Sequence, residues 1–325
     1  MTAQVSKHLS LIADIGATNM RLALFDGDDR VVGHVQIQAS NQHSSIQEAI
    51  GAYLAEHLPL AERRRVNAAA IAVAAPVTAD WVTLTNHAWS FSINQLRGDL
   101  WLERLIVIND FTAIATAIPY LTTVDREQIG GGVALASAPI GVIGPGSGLG
   151  VGALIPAADA WVPIAGEGGH VTLAPATSCE SDVLNRLRDS FGHVSAERVL
   201  SGPGLVNLHQ ALMQTAGATP ISYTPAQITD PSLCECDPYC REAVEMFCAI
   251  LGTVAGNLAL TIGAQGGIYI AGGIVPKLGK RFAQSQFRKR FEDKGRLQPY
   301  LARIPTYVIV HPFPALVGLS KVLTT

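Results

Sequence analysis

"LIADIGATNMRLALFD", Leu11–Asp26, is the stretch that decides how this chain is read. Apolar residues from Leu11 and again from Leu22 to Phe25 predict two buried strands. Asp14, Gly16, Ala17, Thr18 and Asn19 interrupt them with a carboxylate, small residues and two hydrogen-bonding side chains. A plain hairpin turn needs one or two special residues. Glycine at a strand end lets backbone N–H groups approach an anion with no Cβ in the way, and successive N–H groups form a nest for phosphate oxygens. Thr18 and Asn19 add side-chain donors. A carboxylate at Asp14 repels phosphate unless a Mg²⁺ ion, with its waters, lies between them.

The plan recurs. "APIGVIGPGSGLGVGALI" is again strand, glycine turn, strand, with Gly146, Ser147 and Gly148 in the turn. Neither turn matches G-x-x-x-x-G-K-[ST], and "GPGSGLG" runs on into strand-like residues rather than a helix, so neither the P-loop nor the Rossmann fingerprint applies. For one hairpin alone, a turn that simply needs glycine is the plainer reading. Two of them, with the strand end "AGGI" carrying Gly272 and Gly273, favour a bound nucleotide.

Elsewhere strands and helices alternate. A third strand is expected at Val31–Ile37, and a helix at Ser45–His57 with Ile46, Ala49, Ile50, Tyr53 and Leu54 at helical spacing. "NAAAIAVAAPV" and "RLIVIND" read as buried strands, "VTLTNHAW" as a strand-like run and "FTAIATAI" as a helix. The final "PALVGLSKVL" reads as a helix returning to the first domain. This alternation predicts α/β architecture with a mainly parallel sheet. Two related α/β domains are expected, one of residues 1–110 plus 311–325 and the other of 111–310, facing each other across an active-site cleft.

Asn109–Asp110 ends an apolar strand and precedes a helix. Ligands bind at the carboxyl edge of parallel sheets, where a carboxylate can take the proton of an attacking hydroxyl. Asp110 as a simple helix cap is the competing reading. In "PIAGEGGHVTLAP", two glycines separate Glu167 from His170, so both side chains can point into one cleft and suit neighbouring sugar hydroxyls; a surface turn with incidental polar residues is the competing reading. Ser195 reads as an N-cap, and Glu197, two residues on, as a first-turn glutamate.

Bulk properties narrow the function. The chain has 325 residues, 48% hydrophobic and 15% charged, with a formal net charge of -3. That disfavours disorder and gives no basic surplus for a nucleic-acid partner. The opening "MTAQVSKHLS" lacks the apolar core of a secretory leader. "MFCAILGTVAGNLALTIGA", Met246–Ala264, has the length of a membrane span but contains Asn257 and Thr261, so a buried helix is expected and no membrane partner. Five cysteines, an odd count, suit free thiols in a reducing cytoplasm. "CECDPYC" offers three soft metal ligands, Cys234, Cys236 and Cys240, without zinc-ribbon spacing. Two of them fit the start of a helix running through Cys248, so packed thiols are the expectation.

The motifs "DIGATNMRLALFD", "TNHAW", "INDFTA", "GPGSGLGV", "GEGGHV", "HVSAERVLSGPGL", "IAGGIVP" and "FEDKGR", in this order along the whole chain, resemble the bacterial glucokinases of the non-repressor type. These belong to the hexokinase–actin–sugar kinase superfamily. The resemblance implies two actin-like, ribonuclease H-like α/β domains, a cytoplasmic homodimer, and transfer of phosphate from ATP with Mg²⁺ to the 6-hydroxyl of glucose. It implies Asp110 as the base, Asn109, Glu167, His170 and Glu197 as sugar ligands, and Ala13, Asp14, Gly16, Ala17, Thr18, Asn19, Gly146, Ser147, Gly148, Gly272 and Gly273 lining the nucleotide and its metal. The first turn of the family, D-x-G-G-T-N-x-R, carries glycine where Ala17 stands, which alanine tolerates only without positive φ. The alternatives are a kinase for another hexose or amino sugar, and a non-catalytic sugar sensor.

Overall fold

The computed structural model describes residues 9–28, 30–85, 87–158 and 160–324. It divides into two α/β units, Met1–Thr122 with His311–Thr325, and Thr123–Val310.

The first unit holds β1 (Leu9–Ile15), β2 (Asn19–Asp26), β3 (Val31–Ala39), β4 (Val66–Val73), β5 (Trp81–Thr83), β6 (Ser90–Ser92) and β7 (Arg104–Asn109). Its main sheet runs β3-β2-β1-β4-β7, antiparallel through the first three strands and parallel across β1, β4 and β7. β1 is buried on both faces, and the sequence shows why. Leu11, Ala13 and Ile15 point one way, into a core shared with Ile46, Ala49, Ile50 and Tyr53 of the helix Ile46–His57. Ile12 points the other way, toward Ala113, Leu316 and Leu319. A strand between two helical layers has no polar face to keep, so its apolar run is unbroken until the turn. Ser45 starts the helix by accepting from the Glu48 N–H, a cap of the kind worth about 1 kcal/mol.

The expected boundary after Asp110 moves to Thr122. The helix Asp110–Ala117 belongs to the first unit because it packs on the C-terminal helix Pro314–Thr324. Their approach is so close that a Cβ on Gly318 would lie 1.8 Å from the Ala113 carbonyl oxygen.

The second unit holds β8 (Arg126–Ile129), β9 (Ile140–Pro145), β10 (Leu149–Ala157), β11 (Ala160–Gly166), β12 (Ile268–Ile270) and β13 (Thr306–Ile309), in the order β11-β10-β9-β12-β13-β8. Its first five positions repeat the plan of the first sheet: three antiparallel strands, then two added in parallel. The helices Ser178–Phe191, Gly202–Thr215, Pro238–Ile262 and Phe287–Glu292 supply its core. Pro238–Ile262 is long and apolar enough to cross a membrane, yet most of its apolar window is buried inside this unit. It does not extend back through Cys234 and Cys236. Those sit in a separate short helix, Pro231–Cys236, and the break falls at Asp237–Pro238, where Asp237 caps the new helix. A proline at the first helical position has no N–H to continue the preceding turn.

Candidate active site

In the first unit, β1, β4 and β7 bring Ile15, Val73 and Asn109 level at their carboxyl ends. The first glycine turn rises from this edge. Gly16 N–H donates to the Asn19 carbonyl at 3.1 Å, and Ser40 ties the turn down, its hydroxyl donating to the Gly16 carbonyl at 2.7 Å. Thr18 and Asn19 are exposed, whereas Ala13 is fully buried, its side chain part of the core. Ala17 is not among the residues with positive φ, so alanine fits where the resembling family carries glycine.

Asp14 stands directly across the ladder from Arg21, whose guanidinium donates to its carboxylate at 3.0 Å. Burial pushes the Asp14 carboxyl above its ordinary pKa, and Arg21 only partly opposes that. A second positive charge near this carboxylate is therefore electrostatically welcome.

At the end of β7 it is Asn109, not Asp110, that caps the helix. Its side-chain oxygen accepts from Phe111 and Thr112 N–H at 2.8 and 3.2 Å, and its amide donates to the Ala75 carbonyl at 3.4 Å. Asp110 is the first helical residue, half-buried, with one oxygen accepting from Phe111 N–H at 2.9 Å. Asn86, within "TNHAW", lies outside the described residues.

The second unit assembles the remaining residues around its own glycine turn. Gly146 N–H donates to the Gly148 carbonyl at 2.8 Å, and Gly202 N–H, opening the helix Gly202–Thr215, donates to the Gly146 carbonyl at 2.8 Å. Glu197 reaches the same turn: its carboxylate accepts from Leu149 N–H at 2.9 Å. The reach demands glycine next door, since a Cβ on Gly148 would stand 2.5 Å from that carboxylate. Gly272, at φ +83°, lies where a Cβ would be 2.3 Å from the Pro145 carbonyl oxygen, which sets the end of β12 against the same turn.

Glu167 and His170 flank Gly168–Gly169, which pack on β10; a Cβ on Gly169 would come within 2.1 Å of the Leu149 carbonyl oxygen. Their side chains are 3.9 Å apart and each about half exposed, at 53%. A bridge between Thr172 and Ser195, with Ala196 N–H donating to the Val171 carbonyl, joins this segment to the turn that carries Glu197.

Two glycines stand apart from these close contacts. A Cβ built on Gly146 or on Gly273 meets nothing within 4 Å, and neither has positive φ. No intramolecular contact requires glycine at either position.

Arg21, Ser40 and Gly202 hold these turns and Asp14 in place, and the sequence alone assigns them no role. Arg21 had a signal, since hairpin register places it opposite Asp14. Ser40 and Gly202 had none, lying far along the chain from the turns they hold.

Two sheets of one strand order, each opening on a strand–glycine turn–strand unit, define an actin-like sugar kinase fold of two α/β units. Within that class the chain belongs to the glucokinase family: the family model described as Glucokinase matches residues 11–325. Glucokinase of Aromatoleum aromaticum is 49% identical over 313 residues, 96% of this chain and 94% of that relative. Glucokinase of Nitrobacter hamburgensis is 50% identical over 314 residues, 96% of each. Among solved structures, the glucokinase from an Antarctic psychrotroph matches with a TM-score of 0.84 at 34% identity, covering 98% of this chain and 99% of that one.

Proposed function

We propose that this chain phosphorylates glucose at its 6-hydroxyl with ATP, Asp110 acting as general base. Family membership over the whole length supports the reaction class. The observation that carries the nucleotide site is the open space beside Gly146 and Gly273. No protein contact requires glycine at either position, which leaves room for backbone to approach a phosphate chain or nucleoside there.

The residues fit Mg-ATP. The turn at Gly146–Ser147–Gly148, with the exposed Ser147, and the turn at Gly16–Ala17–Thr18–Asn19 would hold the polyphosphate through backbone and hydroxyl donors. Gly272 and Gly273 would border the nucleoside. Asp14, whose buried carboxylate gains from added positive charge, would hold Mg²⁺ through water. Mg²⁺, when bound, supplies neutralisation of charge on the transferring phosphoryl group.

Glu167, His170 and Asn109 would bind sugar hydroxyls, with one oxygen of Glu197 committed to Leu149 N–H and the carboxylate still offering a second. Asp110 would accept the proton of the 6-hydroxyl as that oxygen attacks phosphorus. Its place in the first turn of the helix sets the carboxylate at the carboxyl edge of the parallel strands, where it would accept that proton. Asn109 supplies the N-cap, its side-chain oxygen accepting from Phe111 and Thr112 N–H. All five cysteines are free thiols, which supports a cytoplasmic setting; the homodimer rests on the family resemblance.

The test is Asp110→Asn, assayed by ADP release with glucose and ATP. Turnover should fall at least ~10²-fold, the lower end for loss of a general base, with glucose affinity kept within a few-fold. Turnover close to that of the unaltered chain overturns the assignment.

A further inference from the structure

Among the described residues, one group of three His, Cys, Asp or Glu side chains brings its ligand atoms within 4.8 Å of one another: His209, Asp237 and Cys240. It lies in the second unit, on residues that the proposed reaction does not use. His209 is on the helix Gly202–Thr215, Asp237 caps the helix Pro238–Ile262, and Cys240 is in that helix's first turn.

The independent signal is His209. It is fully buried, and both of its ring nitrogens lack a hydrogen-bond partner. Buried polar atoms are nearly always satisfied, so an imidazole with neither nitrogen paired calls for an explanation. Its Nε2 stands 3.8 Å from Asp237 Oδ2, too far for a hydrogen bond. That separation is close to the ~3.5 Å between two ligand atoms that each sit 2.0–2.3 Å from one tetrahedral ion. Asp237 divides its labour: Oδ1 accepts from Tyr239 and Cys240 N–H at 2.8 and 3.3 Å, leaving Oδ2 turned to His209. Cys240 is fully buried.

We propose that the imidazole of His209, Oδ2 of Asp237 and Sγ of Cys240 supply three ligands of a buried site for one zinc-class divalent cation, with a water as the fourth. Nitrogen, carboxylate oxygen and sulfur are the donor set zinc accepts. A carboxylate and a thiolate together cancel the charge of the ion, which makes its burial tolerable. On binding, the Cys240 S–H bond breaks, its proton leaves to solvent and the sulfur lone pair forms the metal bond; nothing is oxidised.

The "CECDPYC" stretch thus contributes through Cys240 and the intervening Asp237, with His209 arriving from another helix. Cys236 is exposed and stands outside the group. The ion would staple the helix Pro238–Ile262 to the helix whose first residue, Gly202, holds the second glycine turn. Its role is structural support behind the nucleotide site.

The test uses the full chain, stripped with a chelator and titrated with Co²⁺. The expected result is about one equivalent bound, with a thiolate-to-cobalt charge-transfer band and the visible bands of tetrahedral cobalt, all displaced by Zn²⁺. Zn²⁺ should also raise the thermal midpoint. Cys240→Ser should abolish the charge-transfer band, while Cys236→Ser should leave it intact. Asp237→Asn keeps the helix cap, since asparagine also caps, and should weaken binding at least ~10-fold. Absence of the band in the unaltered chain, its survival in Cys240→Ser, or unchanged affinity in Asp237→Asn each overturns the proposal.

Discussion

The two glycine turns share a backbone plan and differ in what holds them. The first is anchored by hydroxyl and backbone contacts from Ser40, and its carboxylate, Asp14, is paired with Arg21 across the ladder without full compensation for its burial. The second is anchored by a carboxylate spent on its own backbone, Glu197 on Leu149 N–H, and by Gly202 N–H. One acid is electrostatically under-compensated and the other is structurally engaged. A repeated fold therefore does not imply repeated roles. The first turn presents a buried carboxylate paired with Arg21, and the second a backbone tied down by Glu197 and Gly202.

This contrast can be broken most forcefully at Asp14. Asp14→Asn should cut turnover by about 10²-fold, comparable to loss of one preorganised electrostatic group, and should raise the Mg²⁺ concentration needed for half-maximal rate. The same variant should keep or raise the thermal midpoint at neutral pH, because the buried charge is itself unfavourable. The sign follows from linkage. The folded-state pKa of Asp14 is raised, so between the two pKa values the native chain holds a proton that the unfolded chain has released, and this contribution to stability is lost as pH rises from the ordinary carboxylate value of 3.8 through the folded pKa. Differential scanning at several pH values should show that loss in the unaltered chain and a flatter profile in Asp14→Asn.

At the second turn the expected signature is inverted. Glu197→Ala should lower stability by about 1.5–3 kcal/mol, the range for a hydrogen bond to a charged group, and Glu197→Gln, which keeps an acceptor for Leu149 N–H, should restore much of it in denaturant titration. If Glu197→Ala were as stable as the unaltered chain, the cradle would not depend on this carboxylate.

Local pattern carried much of this molecule into view. The helix Ile46–His57 follows from Ile46, Ala49, Ile50 and Tyr53 on one face, all of them buried, and both hairpins follow from apolar runs broken by polar or small residues. Features that depend on distant partners were not legible. The first unit runs to Thr122 because Gly318 admits the helix Asp110–Ala117 to close range, a contact between residues about two hundred positions apart. Asn109 and Asp110 are both good caps by type, and only the point where β7 ends decides between them. Glu197 looked like a first-turn glutamate because its target, Leu149, lies 48 residues away. His209 carried no signal at all until helix packing placed it beside Asp237 and Cys240.

The most direct test of the nucleotide cradle is Gly146→Ala, since the added methyl would meet no protein atom within 4 Å. Thermal midpoint and KM for glucose should stay as they are, while KM for ATP should rise about tenfold, equivalent to about 1.4 kcal/mol of lost binding. An unchanged KM for ATP would mean that the open space beside this turn receives no phosphate, and the assignment of the second turn would fail.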